Sequence, residues 1–205
     1  MITLYLIRHG ETDANKFGIL QGQQNTQLNN KGLSQANLLA MACRHLTINS
    51  IYSSDLARAS STADVIAQPH RLTPQLTPLL RELSFGSLEG QPFKLMSTQK
   101  QYHLQQLHKR QIDLPYAGSE PLAELEARLV QFTEQLTTQL SGSHAIIGHG
   151  YSLNYLLHHL LNWSKQKMHV LELTNCSFTE ITFKQQQWQL IRLNQQANPL
   201  TSILK

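Results

Sequence analysis

The residues whose types and spacing could do chemistry fall in four short clusters. The first is Arg8-His9-Gly10-Glu11-Thr12, which directly follows the apolar run Ile2 to Ile7. A cation beside an imidazole, followed by a glycine that lets backbone N–H groups come close, is what an incoming phosphoryl group needs. An isolated Arg-His-Gly would carry little weight, but three further clusters share its character. The run Ser54-Asp55-Leu56-Ala57-Arg58 puts a cation in the first turn of an expected helix, where it opposes the helix dipole unless an anion is shared. His149-Gly150 stands between an apolar run and a helical pattern, so the N-terminus of that helix can offer N–H groups to an anion. Glu82, in the loop Arg81 to Gly86, adds an acid. His149 could also be read as a satisfied core histidine, but its position at a strand end, like the other groups, weighs against that.

The elements that position these clusters are legible as short apolar runs followed by helical patterns, the mark of a mostly parallel sheet covered by helices. Ile2 to Ile7 reads as a first buried strand, Lys31 to His45 as a helix, Asn49 to Tyr52 as a second strand and Asp55 to Ala67 as the next helix. Pro69 to Leu80 reads as extended. Leu122, Leu125, Leu129, Phe132, Leu136 and Leu140 step by three or four residues, an amphipathic helix stripe. Ser143 to Gly148 is a buried strand, and Leu153, Leu156, Leu157, Leu160 and Leu161 form the stripe of the helix after it. Two last strands, Ser177 to Lys184 and Trp188 to Leu193, are expected to turn back on each other around Gln185-Gln186. The expected fold is α/β, a three-layer α/β/α sandwich with a mostly parallel central sheet and an antiparallel edge strand. With no repeat and no linker, residues 1–205 are expected to form one domain, with Gln91 to Gly118 as a partial cap. In such open sheets, ligands bind in the crevice at the carboxyl ends of the strands, where all four clusters are expected.

The order of these clusters resembles that of the histidine phosphatase superfamily, also called phosphoglycerate mutase-like. Leu6-Ile7-Arg8-His9-Gly10-Glu11-Thr12, then Asn15, Leu20-Gln21-Gly22, Leu28 and Lys31-Gly32, resemble its opening block. Ser54-x-Leu56-x-Arg58-Ala59-x-x-Thr62-Ala63, Leu80-Arg81-Glu82-x-x-Phe85-Gly86-x-Leu88-Glu89-Gly90 and His149-Gly150 resemble the next three, so that the likeness spans residues 2 to about 160. The resemblance implies that His9 is a nucleophile that becomes phosphohistidine and that Arg8, Arg58 and His149 grip the phosphoryl oxygens. It implies that Glu82 is the general acid, that Asn15 and Gln21 add polar contacts to the phosphate, and that Thr12 lines the pocket. Gly150 would offer its backbone N–H. The sequence departs from the pattern at Asn25, where relatives often carry Asp, at Gln27, where they carry Pro, and at Gly148, where they carry Ser or Thr. Gly118-Ser119-Glu120 resembles a degraded Gly-Gly-Glu block.

Physical logic supports these roles independently. Phosphoryl transfer needs in-line positioning and stabilisation of charge on the equatorial oxygens, which two guanidinium groups and an imidazole around an attacking nitrogen provide without a metal or other cofactor. His9 must be neutral to attack, and Arg8 and Arg58 disfavour its protonated form. Glu82 would protonate the leaving alcohol and then take a proton from water, which requires it to reach the site neutral. His149 is expected to serve as a cation once phosphate is bound. Glu89 is read as a structural loop residue, and Asp55 and Asp13 as capping or solvated.

Composition narrows the function. A net charge of +4 falls short of a nucleic-acid binder's basic stripe. Arg8 ends the first apolar run early and no stretch approaches a membrane span, so a cytoplasmic protein with no membrane or nucleic-acid partner is expected. Neither Cys43 nor Cys176 has an arginine six positions later, and there is no His-Glu-x-x-His metal motif and no Gly-rich nucleotide loop. His144, His158 and His159 read as packing or surface residues. The expected activity is hydrolysis of a small phosphate ester, similar to the broad-specificity or α-ribazole phosphatase branch. A mutase is the alternative, although glycolytic mutases carry a longer insertion between the positions of Glu82 and His149; a non-catalytic phosphate-binding protein is the third reading. The cations Lys94, Lys100, Lys109 and Arg110 hint at a second anionic group on the substrate.

Overall fold

The computed structural model describes residues 1–109, 112–137, 141–163 and 171–197. Leu140 of the helix stripe and Arg110 of the cap lie outside the described residues. The centre is a six-stranded sheet of β1 (Ile2–Arg8), β2 (Ser50–Ser54), β3 (Gln75–Thr77), β4 (Gly142–Gly148), β5 (Ser177–Lys184) and β6 (Gln187–Gln196), in the order β3-β2-β4-β1-β5-β6. The pairs β2/β3, β2/β4 and β1/β4 are parallel, with Arg8 opposite Gly148 in the last. The antiparallel edge is a hairpin: β5 runs against β1, and β6 turns back on β5. Gln185 and Gln186 make the turn with φ of 53° and 62°, both left-handed, as a tight two-residue hairpin loop requires.

β1 shows why the sheet is covered on both sides. Alternate residues of a strand face opposite ways; Leu4 and Leu6 enter one apolar cluster, whereas Tyr5 and Ile7 enter another. The second cluster is closed by α2 (Asn30–Cys43) and α3 (Ala57–Ala67), which present Ala36, Leu39, Cys43, Ala59, Ala63 and Ile66. The first is closed by α5 (Leu122–Thr137) and α6 (Gly150–Leu160), whose leucine stripes pack there as their spacing predicts. α4 (Thr98–His108) adds Leu104 and Leu107 to that cluster. No described helix is long and apolar enough to cross a membrane.

The topology decides where a ligand can enter. The chain leaving β1 crosses to β2 by way of α2 on one face, while the chain leaving β4 crosses to β5 by way of α6 on the other. β1 and β4 are neighbours, so a crevice opens between their carboxyl ends at the point where the winding reverses.

Several boundaries differ from the sequence expectation, each for a tertiary reason. β2 begins at Ser50 because Asn49 is engaged by Ser143, its N–H donating to the Ser143 carbonyl and its Oδ1 accepting from the Ser143 N–H, both at 2.8 Å. α3 begins at Ala57 because Asp55 is drawn away by Arg81, whose Nε and Nη2 donate to it at 2.7 and 2.5 Å. The Pro69 to Leu80 stretch is less extended than its composition suggests. It holds a short turn at Gln68–His70, the three-residue β3, and a second turn at Pro78–Leu80 capped by Thr77. A short helix, α1 (Asp13–Phe17), was not anticipated; Thr12 caps it and Gly18 ends it at φ 65°.

The turn after β1 is packed against α2 through two glycines. A Cβ on Gly32 would lie 2.1 Å from the Glu11 carbonyl oxygen, and one on Gly10 would lie 2.6 Å from that of Gly32. Helix propensity alone would favour alanine at position 32 by about 1 kcal/mol. The backbone contact outweighs it, so Gly32→Ala is expected to destabilise the protein by about 1–3 kcal/mol. Urea denaturation checks this: a midpoint equal to or above the wild type's would show that the close approach is not a constraint.

Candidate active site

Arg8, His9, Asn15, Gln21, Arg58, Glu82 and Gly150 border one cleft of about 340 Å³ at the carboxyl end of β1 and β4. His149 is fully buried just behind the wall, its ring centroid 5.1 Å from that of His9. Thr12 is also fully buried and does not border the cleft. The structure thus brings the predicted residues together, with Thr12 and His149 one layer back.

Hydrogen bonds settle the tautomers of both rings. His9 Nδ1 lies 2.7 Å from the Gly10 carbonyl, which can only accept, so Nδ1 carries the proton and Nε2 the free lone pair. Arg58 Nε donates to His149 Nδ1 at 3.2 Å, so the neutral His149 ring carries its proton on Nε2. That Nε2–H and the Nε–H of Arg8 are buried donors with no partner among the described residues. Buried donors are nearly always satisfied, and two orphans beside one free imidazole nitrogen mark a place for an anionic acceptor.

The same logic orients the amides. Asn15 Oδ1 accepts from the Thr12 N–H at 3.2 Å, and Gln21 Oε1 accepts from the Thr12 hydroxyl at 2.9 Å and the Thr26 hydroxyl at 2.6 Å. With the acceptor ends taken, the NH₂ ends of Asn15 and Gln21 make no hydrogen bond among the described residues. Thr12 therefore acts by turning two amide donors towards the cleft.

Burial sets the charge states. Burial, and after it the Arg58 and Arg8 charges, push His9 well below the usual 6.5, which keeps it neutral as nucleophilic attack requires. His149 is pushed down in the same way, by burial first, then Arg58, His9, Arg8 and Arg128. Burial lowers Arg58 to about 10, against the pull of Glu82, and lowers Arg8 against the pull of Glu82 and Glu172. Arg58 still carries its charge at neutral pH.

Glu82 is held at the start of α6. Its carboxylate oxygens accept from the N–H groups of Tyr151 and Ser152, each at 3.1 Å, and from Leu83 at 2.9 Å. This narrows the expectation that the N-terminus of α6 offers its N–H groups to an anion, since Glu82 occupies those of Tyr151 and Ser152. The Gly150 N–H, which bears the expected anion contact, makes no hydrogen bond among the described residues.

Four residues support the site in roles that the sequence did not reveal, and two of them, Arg128 and Asn175, carried no signal there at all. Arg128 on α5 donates to the carbonyls of Leu79, Arg81 and Glu82 and pairs with Glu120, fastening the acid's loop. Glu120, the remnant of the degraded block, in turn accepts from the Ser84 N–H. Asn175 Nδ2 donates to the His9 carbonyl at 2.9 Å, next to the left-handed Cys176 (φ 53°), whose N–H donates to the Arg8 carbonyl. Asn25 Oδ1 accepts from the Ala57 N–H at 2.7 Å and caps α3, whose own N-cap position is Leu56. The local cap that Asp55 offered in the sequence is instead engaged by Arg81. Glu89 has the loop role expected of it, accepting from the N–H groups of Gln23 and Phe85 and from Ser84 Oγ.

Among known proteins, the histidine phosphatase superfamily (branch 1) matches residues 4–196. A Yersinia pestis protein named "Probable phosphoglycerate mutase GpmB" is 32% identical over 189 residues, covering 92% of this chain and 88% of its own. A phosphoserine phosphatase mutant from Entamoeba histolytica, solved with phosphoserine, superimposes with a TM-score of 0.82 at 26% identity over 100% of both chains. A mycobacterial glucosyl-3-phosphoglycerate phosphatase solved with VO3 shares the fold with a TM-score of 0.84 at 23% identity, over 94% of this chain and 98% of that one.

The depressed histidines have a thermodynamic consequence. When unfolded, His9 and His149 take up protons near pH 6.5, whereas in the folded protein they resist protonation until lower pH. Stability is therefore intact above about 6.5 and falls as pH is lowered from there towards the folded values, by at most about 1.4 kcal/mol per pH unit for each histidine. Chemical denaturation between pH 8 and 5 is expected to show this slope, and a His9→Gln/His149→Gln double variant is expected to show a shallower one. An unchanged slope would mean that the two rings titrate normally when folded.

Proposed function

The chain belongs to the histidine phosphatase superfamily, and on that premise we propose that it is a phosphomonoester hydrolase acting through a phosphohistidine at His9 on a small phosphorylated metabolite. The observation that carries this reading is the pairing of a lone pair with orphan donors. His9 Nε2 is free because Nδ1 is tied to Gly10, and the unpartnered Arg8 Nε–H and His149 Nε2–H await oxygen acceptors beside it.

The steps follow from that geometry. A phosphate monoester enters with its oxygens towards Arg8, Arg58, His149 and the amide ends of Asn15 and Gln21, which hold phosphorus in line with His9 Nε2. Attack forms the N–P bond, and the P–O bond to the alcohol breaks with its electron pair on the leaving oxygen. Glu82 delivers the proton that this oxygen needs. In the second half Glu82 takes a proton from water, whose oxygen attacks phosphorus; the N–P bond breaks, and inorganic phosphate leaves a neutral His9. The positive charge that stabilises the transferring group comes from the two guanidinium groups and from His149, whose pKa a bound dianion raises again. The reaction as proposed uses no metal.

The 32% identical relative with a mutase name keeps one other reading in view, in which phosphoryl transfer returns to an alcohol rather than to water. Hydrolysis of p-nitrophenyl phosphate in EDTA distinguishes the two. Turnover is expected in the wild type, loss of it in His9→Ala, and a fall of about 10²–10⁴ in Glu82→Gln, with an acid-labile phosphoenzyme trapped on rapid quenching. Conversion of phosphoglycerate isomers without release of phosphate would favour the mutase, and turnover unaffected by His9→Ala would remove His9 from the chemistry.

A further inference from the structure

Beyond the phosphate grip, the cleft is walled by apolar and aromatic groups. Ile19, Leu20, Leu171 and Leu173 border it, and Phe85, Tyr151 and His108 form a continuous aromatic side. The Phe85 and Tyr151 rings meet edge to face at 5.6 Å, as do His108 and Tyr151 at 6.0 Å, with His108 Nδ1 3.3 Å from the Tyr151 hydroxyl. Lys94, Lys100 and Lys109, from which the sequence hinted at a second anion, do not border the cleft, and Lys100 Nζ instead donates to Gln91 Oε1 at 2.9 Å. Apart from Arg8, Arg58 and Glu82, the fixed charge on the wall among the described residues is a carboxylate, Glu172.

Glu172 is placed rather than loose. Its carbonyl accepts from Asn194 Nδ2 at 3.0 Å, and the preceding Leu171 exchanges two hydrogen bonds with Asn154, at 2.7 and 2.8 Å. Its carboxylate has no hydrogen bond or ion pair among the described residues, and its charge reaches Arg8, where it opposes the effect of burial. Backbone so held keeps an exposed negative charge at the mouth, beyond a floor built for one phosphoryl group. We propose that Glu172 is a specificity-determining residue that turns away a second anionic group, so that the substrates are phosphate monoesters of an apolar or aromatic alcohol bearing a cationic or uncharged substituent. This deepens the hydrolase reading and rests on it. Esters that carry a carboxylate or a second phosphate meet repulsion at Glu172, and the described cations on the wall, Arg8 and Arg58, are those that face the first phosphoryl group, whereas an ammonium group meets attraction.

Three aryl probes that differ at the para position test the proposal: 4-(aminomethyl)phenyl and 4-carboxyphenyl phosphate, of similar size and opposite charge, and unsubstituted phenyl phosphate. The readout is the ratio of kcat/KM for the cationic ester to that for the anionic one, at low and high salt, in the wild type, Glu172→Gln and Glu172→Lys. The wild-type ratio is expected to exceed one. Glu172→Gln should lower it by about two- to fivefold, the range of an exposed charge interaction, Glu172→Lys should lower it further, and high salt should compress the differences. If all three proteins hydrolyse phenyl phosphate and the ratio does not move, Glu172 is an ordinary solvated carboxylate; the substrate class then fails while the hydrolase reading stands. If the wild type hydrolyses none of the esters and forms no phosphoenzyme, the hydrolase reading fails and this inference falls with it.

Discussion

The site is organised around the buried guanidinium of Arg58. Its Nε donates to His149, its Nη1 to the Gln24 carbonyl and its Nη2 to the Gly22 carbonyl, so that one side chain joins α3, the loop after α1 and the end of β4. Burying a cation is costly unless its donors are satisfied, and the loop supplies the carbonyls that satisfy it. The loop in turn carries Gln21 and depends on that charge for its shape. The tautomer of His149 follows from that desolvated cation, whose charge also adds to the effect of burial in keeping both histidines neutral.

The second requirement is an acid held close to that cation without collapsing onto it. Arg58 has no ion pair with Glu82 among the described residues; the carboxylate is held instead by backbone N–H groups of α6 and by its own neighbour Leu83. Arg128 and Glu120 fix the loop from outside, so that the acid sits in a frame of hydrogen bonds and its distance from the phosphate grip does not depend on direct pairing.

The parts of this design that were legible in the sequence are those written locally. The leucine stripes of α5 and α6 have helical spacing, β1 is a continuous apolar run, and Arg8, His9, Glu82 and His149 sit in recognisable turns at the ends of such elements. What escaped is polar and long-range. Asn25, Arg128 and Asn175 act on backbone groups of residues 32, 46 and 166 positions away, through bonds that leave no periodicity and belong to no local motif. The boundary shifts at Asn49 and Asp55 have the same origin, since each residue is claimed by a partner from another part of the chain. Thr12 stands in the block expected to line the pocket, but it is fully buried and acts on its neighbours Asn15 and Gln21.

The attachment of Glu82 to the first turn of α6 bears on motion as well as on position. His149 immediately precedes that turn, and its N–H is locked to Ser152 Oγ at 3.1 Å, while the Ser152 N–H holds the Glu82 carboxylate. In the proposed reaction, the proton donor and one arm of the phosphate grip are therefore tied to the same first turn of helix. A displacement of that turn would carry both groups with it, so the proposed acid and His149 would keep their mutual spacing where a site assembled from independent loops would not.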